Sequence, residues 1–126
     1  MSLDITPIIT DQRLMISSYG DGRFTVNGRT VTGSVLLYEG KVEPWAVSDA
    51  SEIDLVSLQP ILDVAQDYDI LLVGCGEKSK MSPKGLQQAV KEKGLVLEWM
   101  NSGAAARTFT ALQTEDRRVV AAIIAV

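Results

Sequence analysis

The sequence predicts an α/β fold: a single layered domain with an N-terminal antiparallel β-meander or hairpin, followed by elements in the order αβαβαβ over a mixed, partly parallel sheet. Two observations predict it. The first half of the 126-residue chain alternates apolar and polar residues in short segments between glycine turns, which is typical of antiparallel strands. The second half alternates helical and strand patterns, which favours parallel strands joined by right-handed crossovers. The length fits one domain over residues 1–126.

Four extended segments form the predicted meander: residues 13–18, 24–26, 30–38 and 42–47. Turns that contain glycine separate them, at residues 19–22, 27–28 and 39–40, and the Asn-Gly pair of the second turn is typical of a tight hairpin. The segment 30–38 is predicted as one continuous strand. We expect the hairpin either to pack on the main sheet or to extend it.

Three helices and three strands form the predicted second half. Ser57, Ser82 and either Asn101 or Ser102 are candidate helix N-caps, because a short polar side chain there accepts a hydrogen bond from a free backbone N–H. Pro83 suits the first position of the second helix. The strands are residues 70–73, 95–100 and 118–125, and the continuous apolar run of the first predicts a strand covered on both faces.

Composition excludes several classes of function. Histidine is absent and cysteine occurs once, so we expect no histidine-based catalytic dyad, no metal site, no cofactor and no internal disulfide. The net charge of -4 disfavours general nucleic-acid binding, since such proteins carry a basic footprint. No signal peptide is recognisable, and no apolar run approaches the roughly 18 residues that span a bilayer. We therefore expect a cytoplasmic protein that does not span a membrane.

Two glycine-rich turns, each directly after a predicted buried strand, form the candidate ligand site. Carboxyl ends of neighbouring parallel strands meet at one edge of a sheet, where α/β proteins bind ligands. Backbone N–H groups and a positive helix end at such turns suit a small anion such as phosphate. The candidate binding residues are Gly74, Cys75, Gly76 and Lys78 in the first turn, and Ser102, Gly103, Ala104 and Arg107 in and after the second.

A dinucleotide site is a narrower version of this hypothesis, because Gly74 and Gly76 follow a strand and Glu98 lies further along the chain. Ser79 occupies the third glycine position of that fingerprint, which disfavours it. Cys75 lies near Lys78, which favours a thiolate, but the chain has no histidine to complete a dyad. A small side chain in a tight turn is the simpler interpretation of Cys75.

Three segments carry a family resemblance: Val-Gly-Cys-Gly at residues 73–76, Glu-Trp-Met-Asn-Ser-Gly-Ala-Ala-Ala-Arg-Thr-Phe at 98–109, and Glu-Asp-Arg-Arg-Val-Val-Ala-Ala at 115–122. Upstream, Tyr-Gly-Asp-Gly-Arg-Phe at residues 19–24, Gly-Ser-Val-Leu-Leu at 33–37 and Pro-Trp at 44–45 fit the same pattern. Together they resemble the domain-of-unknown-function family often called Mth938-like, over nearly the whole chain.

The resemblance implies an α/β layered fold with an appended β portion. It also implies a binding or assembly role, since mitochondrial relatives of the family act as an assembly factor for respiratory complex I. The family often carries Thr at the position of Cys75, which implies a need for a small residue there. It tends to carry Asp-Thr-Gly at residues 101–103, so a role that needs that carboxylate is not expected here. Gly103 and Arg107 match the family.

Two function hypotheses remain. In the first, the chain is a non-enzymatic binding or assembly protein whose partner is another protein, with an exposed apolar patch that includes Trp45 or the hairpin around Phe24. In the second, it is a small-molecule binding protein or unusual enzyme that takes an anion or nucleotide at the glycine turns. The resemblance favours the first. The edge of the hairpin and the final strand are also expected to be open to pairing with a second copy.

Overall fold

A computed structural model describes residues 8–9 and 13–126 of the chain. The strands in this part are β1 Ile8–Ile9, β2 Ile16–Gly20, β3 Arg23–Val26, β4 Arg29–Thr32, β5 Val35–Tyr38, β6 Lys41–Pro44, β7 Ile70–Gly74, β8 Val96–Met100 and β9 Val119–Ile123. The α-helices are α1 Gln59–Leu62, α2 Leu86–Glu92 and α3 Ser102–Thr114, with 3₁₀ turns at Ala50–Glu52 and Ala65–Asp67. No helix in the described residues has the length and apolar character that crossing a membrane requires.

The strands form two sheets. The main sheet has the order β1-β6-β5-β9-β7-β8, and the small sheet has the order β2-β3-β4. In the main sheet β7 runs parallel to β8 and β9, whereas β9, β5, β6 and β1 pair antiparallel. The small sheet is an antiparallel meander. The predicted meander and the predicted mixed sheet are therefore confirmed, and β5 and β6 extend the main sheet.

Alternate residues of the central strands face opposite sides of the main sheet and fill two cores. In β5, Val35 and Leu37 contribute to one core and Leu36 to the other. The core that holds Val35 and Leu37 also holds Phe24 of the small sheet and Phe109 of α3; we call it the α3 core. The core on the opposite face holds residues of α1 and α2, so the main sheet is the middle layer of three.

The predicted continuous strand over residues 30–38 is wrong, because the chain breaks between β4 and β5 at Gly33 and Ser34. Gly33 has a φ of +91°, a conformation that other residues rarely adopt. The Ser34 hydroxyl accepts a hydrogen bond from the Ala125 N–H at 3.0 Å. The break lets the chain leave the small sheet and enter the main sheet.

The first strand of the meander is shifted along the chain from its predicted position. The Met15 N–H donates to the side-chain oxygen of Asn27 at 2.7 Å, and β2 covers Ile16–Gly20. Tyr19, predicted within a turn, therefore lies in a strand that packs beside α3.

Two predicted helix starts are wrong. The Ser57 hydroxyl does not cap α1, because it donates to the carbonyl oxygen of Asp54 at 2.8 Å. Helix α2 does not begin at Ser82, because Gly85, with a φ of +83°, interrupts the helical backbone directly before it.

Two expectations about the surface are also wrong. Trp45 is only 6% exposed, so it does not belong to an exposed patch. In the hairpin around Phe24, Phe24 is 1% exposed, whereas its strand partner Tyr19 is 39% exposed. The Trp45 indole N–H donates to the carbonyl oxygen of Ser57 at 2.9 Å, which holds the ring in its core. The final strand, β9, lies between β5 and β7, so it offers no edge to a second copy.

Candidate functional site

The two glycine turns lie side by side, because the parallel strands β7 and β8 end at the same edge of the sheet. They are hydrogen-bonded to each other. The Cys75 N–H donates to the Met100 carbonyl oxygen at 2.8 Å, and the Ser102 N–H donates to the Gly76 carbonyl oxygen at 2.8 Å. The Ser102 hydroxyl accepts from the Gly76 N–H at 3.0 Å. These polar groups therefore join the two strand ends and do not face open space.

Gly74 and Ser102 lie behind the turns, closed off from the surface. Ser102 is 0% exposed. A Cβ added at Gly74 would come within 2.8 Å of Ile123 Cγ2 and 2.9 Å of Ser102 Cα. Glycine is needed at this position because β7, β9 and α3 converge there.

The thiol of Cys75 points into the protein. The residue is 1% exposed, and its sulfur lies 3.5 Å from the Lys78 carbonyl oxygen, to which it donates. A buried thiol of this kind packs as a small apolar side chain, which agrees with the simpler interpretation of this position.

Helix α3 begins with a side-chain cap. Of the two candidate caps, Asn101 has the role, since its side-chain oxygen accepts from the Ala104 N–H at 2.8 Å. The Ala104 N–H is therefore occupied as well, and a ligand at this turn would have to meet other groups.

Arg107 and Gly103 border a cavity of about 520 Å³. An Arg107 guanidinium N–H donates to the Tyr19 hydroxyl. The Tyr19 ring covers Gly103, where an added Cβ would come within 2.7 Å of the hydroxyl oxygen. Asp21 and Glu77 also line the cavity, so it carries charges of both signs.

Cys75, Gly76 and Lys78 border a different cavity, of about 310 Å³. Lys80 and Asp49 also line this cavity, and the Lys80 ammonium group is 3.5 Å from an Asp49 carboxylate oxygen. The pKa of Asp49 is held below its usual value, chiefly by hydrogen bonds from the Ser51 hydroxyl and N–H and then by the charge of Lys80.

The structure does not bring the eight predicted binding residues together in one cavity. Gly103 and Arg107 line the first cavity, and Cys75, Gly76 and Lys78 line the second. Gly74, Ser102 and Ala104 line neither. Glu77 borders both cavities, and it is not among the binding residues predicted from the sequence.

Sequence reasoning also missed the contact between Tyr19 and Arg107. These residues are 88 positions apart, and no local pattern links them. The motif Tyr-Gly-Asp-Gly at residues 19–22 indicates a turn, but it does not indicate a contact with Arg107.

A surface outside both cavities combines β8, the first residue of β7 and one side of α3. Within the described residues β8 pairs only with β7 and so ends the main sheet. Val96 is 53% exposed, Glu98 is exposed, and Met100 and Ile70 are half-buried against the α3 core. We define the α3–β8 face as Val96, Glu98 and Met100 of β8, Ile70 of β7, and the half-buried Ala104 and Thr108 of α3.

Comparison with known proteins gives a family match over most of the chain. A family model described as a protein of unknown function (DUF498/DUF598) matches residues 16–124. An uncharacterised protein of Rhodobacter capsulatus is 35% identical over 111 residues, which cover 88% of this chain and 84% of that protein.

A named relative and a solved structure extend the match. The rat protein named NADH dehydrogenase [ubiquinone] 1 alpha subcomplex assembly factor 3 is 30% identical over 113 residues, or 90% of this chain. The chain spans only 61% of the length of that protein. A solution structure of a Bordetella pertussis protein described as an Mth938-like domain superposes with a TM-score of 0.76 at 26% identity, covering 98% of this chain and 92% of that one.

Proposed function

The chain belongs to the DUF498/DUF598 family of proteins of unknown function, and from this premise we propose that it is a non-enzymatic protein-binding factor that supports the assembly of a larger complex. The name of the rat relative supports this role. A subunit of a respiratory complex is the first class of partner to test. We extend the proposal to a cytoplasmic location, since the single cysteine is a free thiol.

The α3–β8 face is the observation that carries the proposal. Val96 is 53% exposed in β8, where it pairs with the half-buried Ile70 of β7. The half-buried Met100 lies on the same face at the other end of β8. Burying apolar surface is worth roughly 25 cal/mol per Å², so a partner that covers Val96 and the exposed parts of Ile70 and Met100 gains binding energy from this face. A partner that covers this face completes a layer that the chain leaves open.

Site-specific photo-cross-linking in the native host tests the proposal. A photoreactive amino acid replaces Val96 in one variant and Val56 in a control, because Val56 is also an exposed valine, at 80%, but lies in the turn before α1. We expect a cross-linked partner from position 96 and none from position 56. No product from position 96, or equal products from both, would contradict the proposal. A partner unrelated to respiratory complexes would contradict only the suggested class of partner.

The binding of a small anion or nucleotide is a second candidate function, favoured by the cavity beside Arg107 and the first turn of α3. Its volume of about 520 Å³ lies within the roughly 300–1,000 Å³ of small-molecule pockets. Asp21 and Glu77 line the same cavity, and two carboxylates oppose an anion. This function therefore ranks second.

A thermal-unfolding screen with phosphate and nucleotides tests the second candidate. A ligand at a hundredfold excess over its Kd stabilises the folded chain by about 2.7 kcal/mol. We expect such a gain to be lost in Arg107→Ala and kept in Arg117→Ala, an exposed arginine beyond the end of α3. No gain with any compound for the unmodified chain would eliminate this candidate.

A further inference from the structure

Among the described residues, the side-chain hydrogen bonds between helix α3 and the small sheet lie along one side of the helix. The Thr110 hydroxyl accepts from the Ile16 N–H at 3.0 Å, and Arg107 donates to the Tyr19 hydroxyl. Both partners belong to β2. This side of α3 is therefore closed by the chain itself.

The opposite side of α3 lies over the end of the main sheet. With 3.6 residues per turn, Ala104 and Thr108 lie on one stripe of the helix, away from the stripe that carries Arg107 and Thr110. Phe109, between the two stripes, is buried in the α3 core. The helix packs mainly on β7 and β9, so its Ala104–Thr108 stripe is turned toward β8.

The face of β8 beside this stripe is covered only in part. Successive side chains of a strand alternate between faces, and Leu97 packs into the core of α1 and α2. Val96, Glu98 and Met100 therefore lie on the α3 side, where Val96 is 53% exposed and Glu98 is exposed. The small side chains of Ala104 and Thr108 leave room for a neighbouring element at the 8–10 Å spacing of packed helices.

We infer that the α3–β8 face receives an amphipathic helix of the partner protein, which lies alongside α3 and carries a lysine or arginine opposite Glu98. The inference rests on the proposed function and names the form of the partner. Glu98 is the only charged member of the face, and no ion pair joins it to another described residue. A basic residue placed there gains a charge partner, and the apolar face of the helix covers Val96, Ile70 and Met100.

A second copy of the chain is a poorer occupant than a basic helix. Two copies that met through this face about a two-fold axis would contact each other through identical patches. Two Glu98 carboxylates would then enter one contact between chains that each carry a net charge of -4, and like charges brought together in this way are unfavourable.

Cross-linking from two positions, combined with a charge reversal, tests the inference. The photoreactive amino acid is placed at Val96 of β8 and, in a second variant, at Thr108 of α3. Both are expected to capture the same segment of one partner, mapped by mass spectrometry to a helix with a basic residue. Glu98→Lys is expected to lower the yield about tenfold, and Glu115→Lys, the same change at the exposed C-terminal end of α3, is expected to leave it unchanged.

The charge pair is then tested directly. Changing the mapped basic residue of the partner to glutamate is expected to restore capture by Glu98→Lys. Capture at Val96 without capture at Thr108, a captured segment that is extended, or no loss with Glu98→Lys would overturn the inference and leave the proposed function intact. Capture of a second copy of the chain would overturn the inference, and absence of capture at both positions would overturn the inference and the proposed function together.

Discussion

Gly74 marks the closest approach between the end of β7 and the start of α3. A Cβ there would meet the backbone of Ser102 at 2.9 Å and Ile123 Cγ2 at 2.8 Å. Backbone atoms in a converging core cannot move aside as a surface side chain can. The requirement for glycine at this position is therefore steric and concerns the fold.

We predict that Gly74→Ala lowers the free energy of unfolding by about 1–3 kcal/mol through overpacking, measured by urea denaturation. Gly103→Ala is the matched comparison, because the three atoms nearest to an added Cβ there all belong to the side chain of Tyr19, which is 39% exposed and can move. Its loss is expected to be the smaller of the two. Equal losses would contradict the steric account of Gly74.

The thiol of Cys75 gives a second prediction at this scale. Because Cys75 is 1% exposed, an aromatic disulfide reagent is expected to modify it slowly in the folded chain and rapidly in concentrated urea. Absorbance of the released thiolate measures both rates. A rate in the folded chain equal to that of a small peptide thiol would show that the side chain is accessible and contradict its structural role.

Sequence patterns identified some of these residues but not their roles. A glycine after a buried strand indicates a tight turn, so Gly74, Cys75 and Gly76 could be located. What they contact depends on Ser102, which the chain brings back from the end of the next parallel strand. Tyr19 was beyond prediction because its contact with Arg107 depends on how the small sheet packs on α3.

Helix α3 packs against strands of both sheets, and its first turn depends on Asn101. We predict that Asn101→Ala destabilises the fold by about 1 kcal/mol, because the Ala104 N–H loses its cap. Ser79→Ala, a change of an exposed loop residue, serves as the control and is expected to have little effect. Urea denaturation of both variants measures the difference, and an unchanged Asn101→Ala would contradict the capping role.

The 3₁₀ turn at Ala50–Glu52 begins with a capping box, and the Glu52 carboxyl group of this box makes the stability of the fold depend on pH. Hydrogen bonds from the Ser48 and Asp49 N–H groups lower the pKa of Glu52 from its ordinary 4.5. Since the pKa is lower in the folded than in the unfolded chain, ionised Glu52 stabilises the fold above pH 4.5 and loses this effect as the pH falls through the lowered value.

Denaturation of the unmodified chain and of Glu52→Gln across this pH range tests the prediction. The unmodified chain is expected to be the more stable at pH 7, and the difference is expected to vanish in acid, where Glu52 is protonated. A difference that does not change with pH would contradict the linkage.

At the scale of the whole molecule, the order of elements could be predicted but the order of strands in space could not. Hydrophobic periodicity separates helices from strands, and their alternation predicted the parallel part of the sheet. Periodicity does not say which strand ends a sheet. The last strand along the chain, β9, is central. By contrast β8, predicted as a buried strand, lies at the end of the main sheet in the described residues and exposes Val96.

The α3–β8 face could not be predicted from the sequence, because the position of β8 in the sheet could not be predicted. The face combines residues of β7, β8 and α3 that become neighbours only through the parallel pairing and the crossover between them. The two glycine turns at the adjacent edge are hydrogen-bonded to each other and hold the start of α3 beside the end of β7. The residues predicted as a ligand site thereby lie next to the surface that we propose for a protein partner.

Methyl NMR of the chain with a soluble paramagnetic agent, free and bound to the partner captured at position 96, tests the central claim most directly. In the free chain the agent is expected to broaden the methyl signals of both Val96 and Val56, which are 53% and 80% exposed. In the complex the Val96 signals are expected to recover while those of Val56 stay broadened. Val96 signals that remain broadened in the complex would show that the partner does not cover the α3–β8 face and would contradict the account.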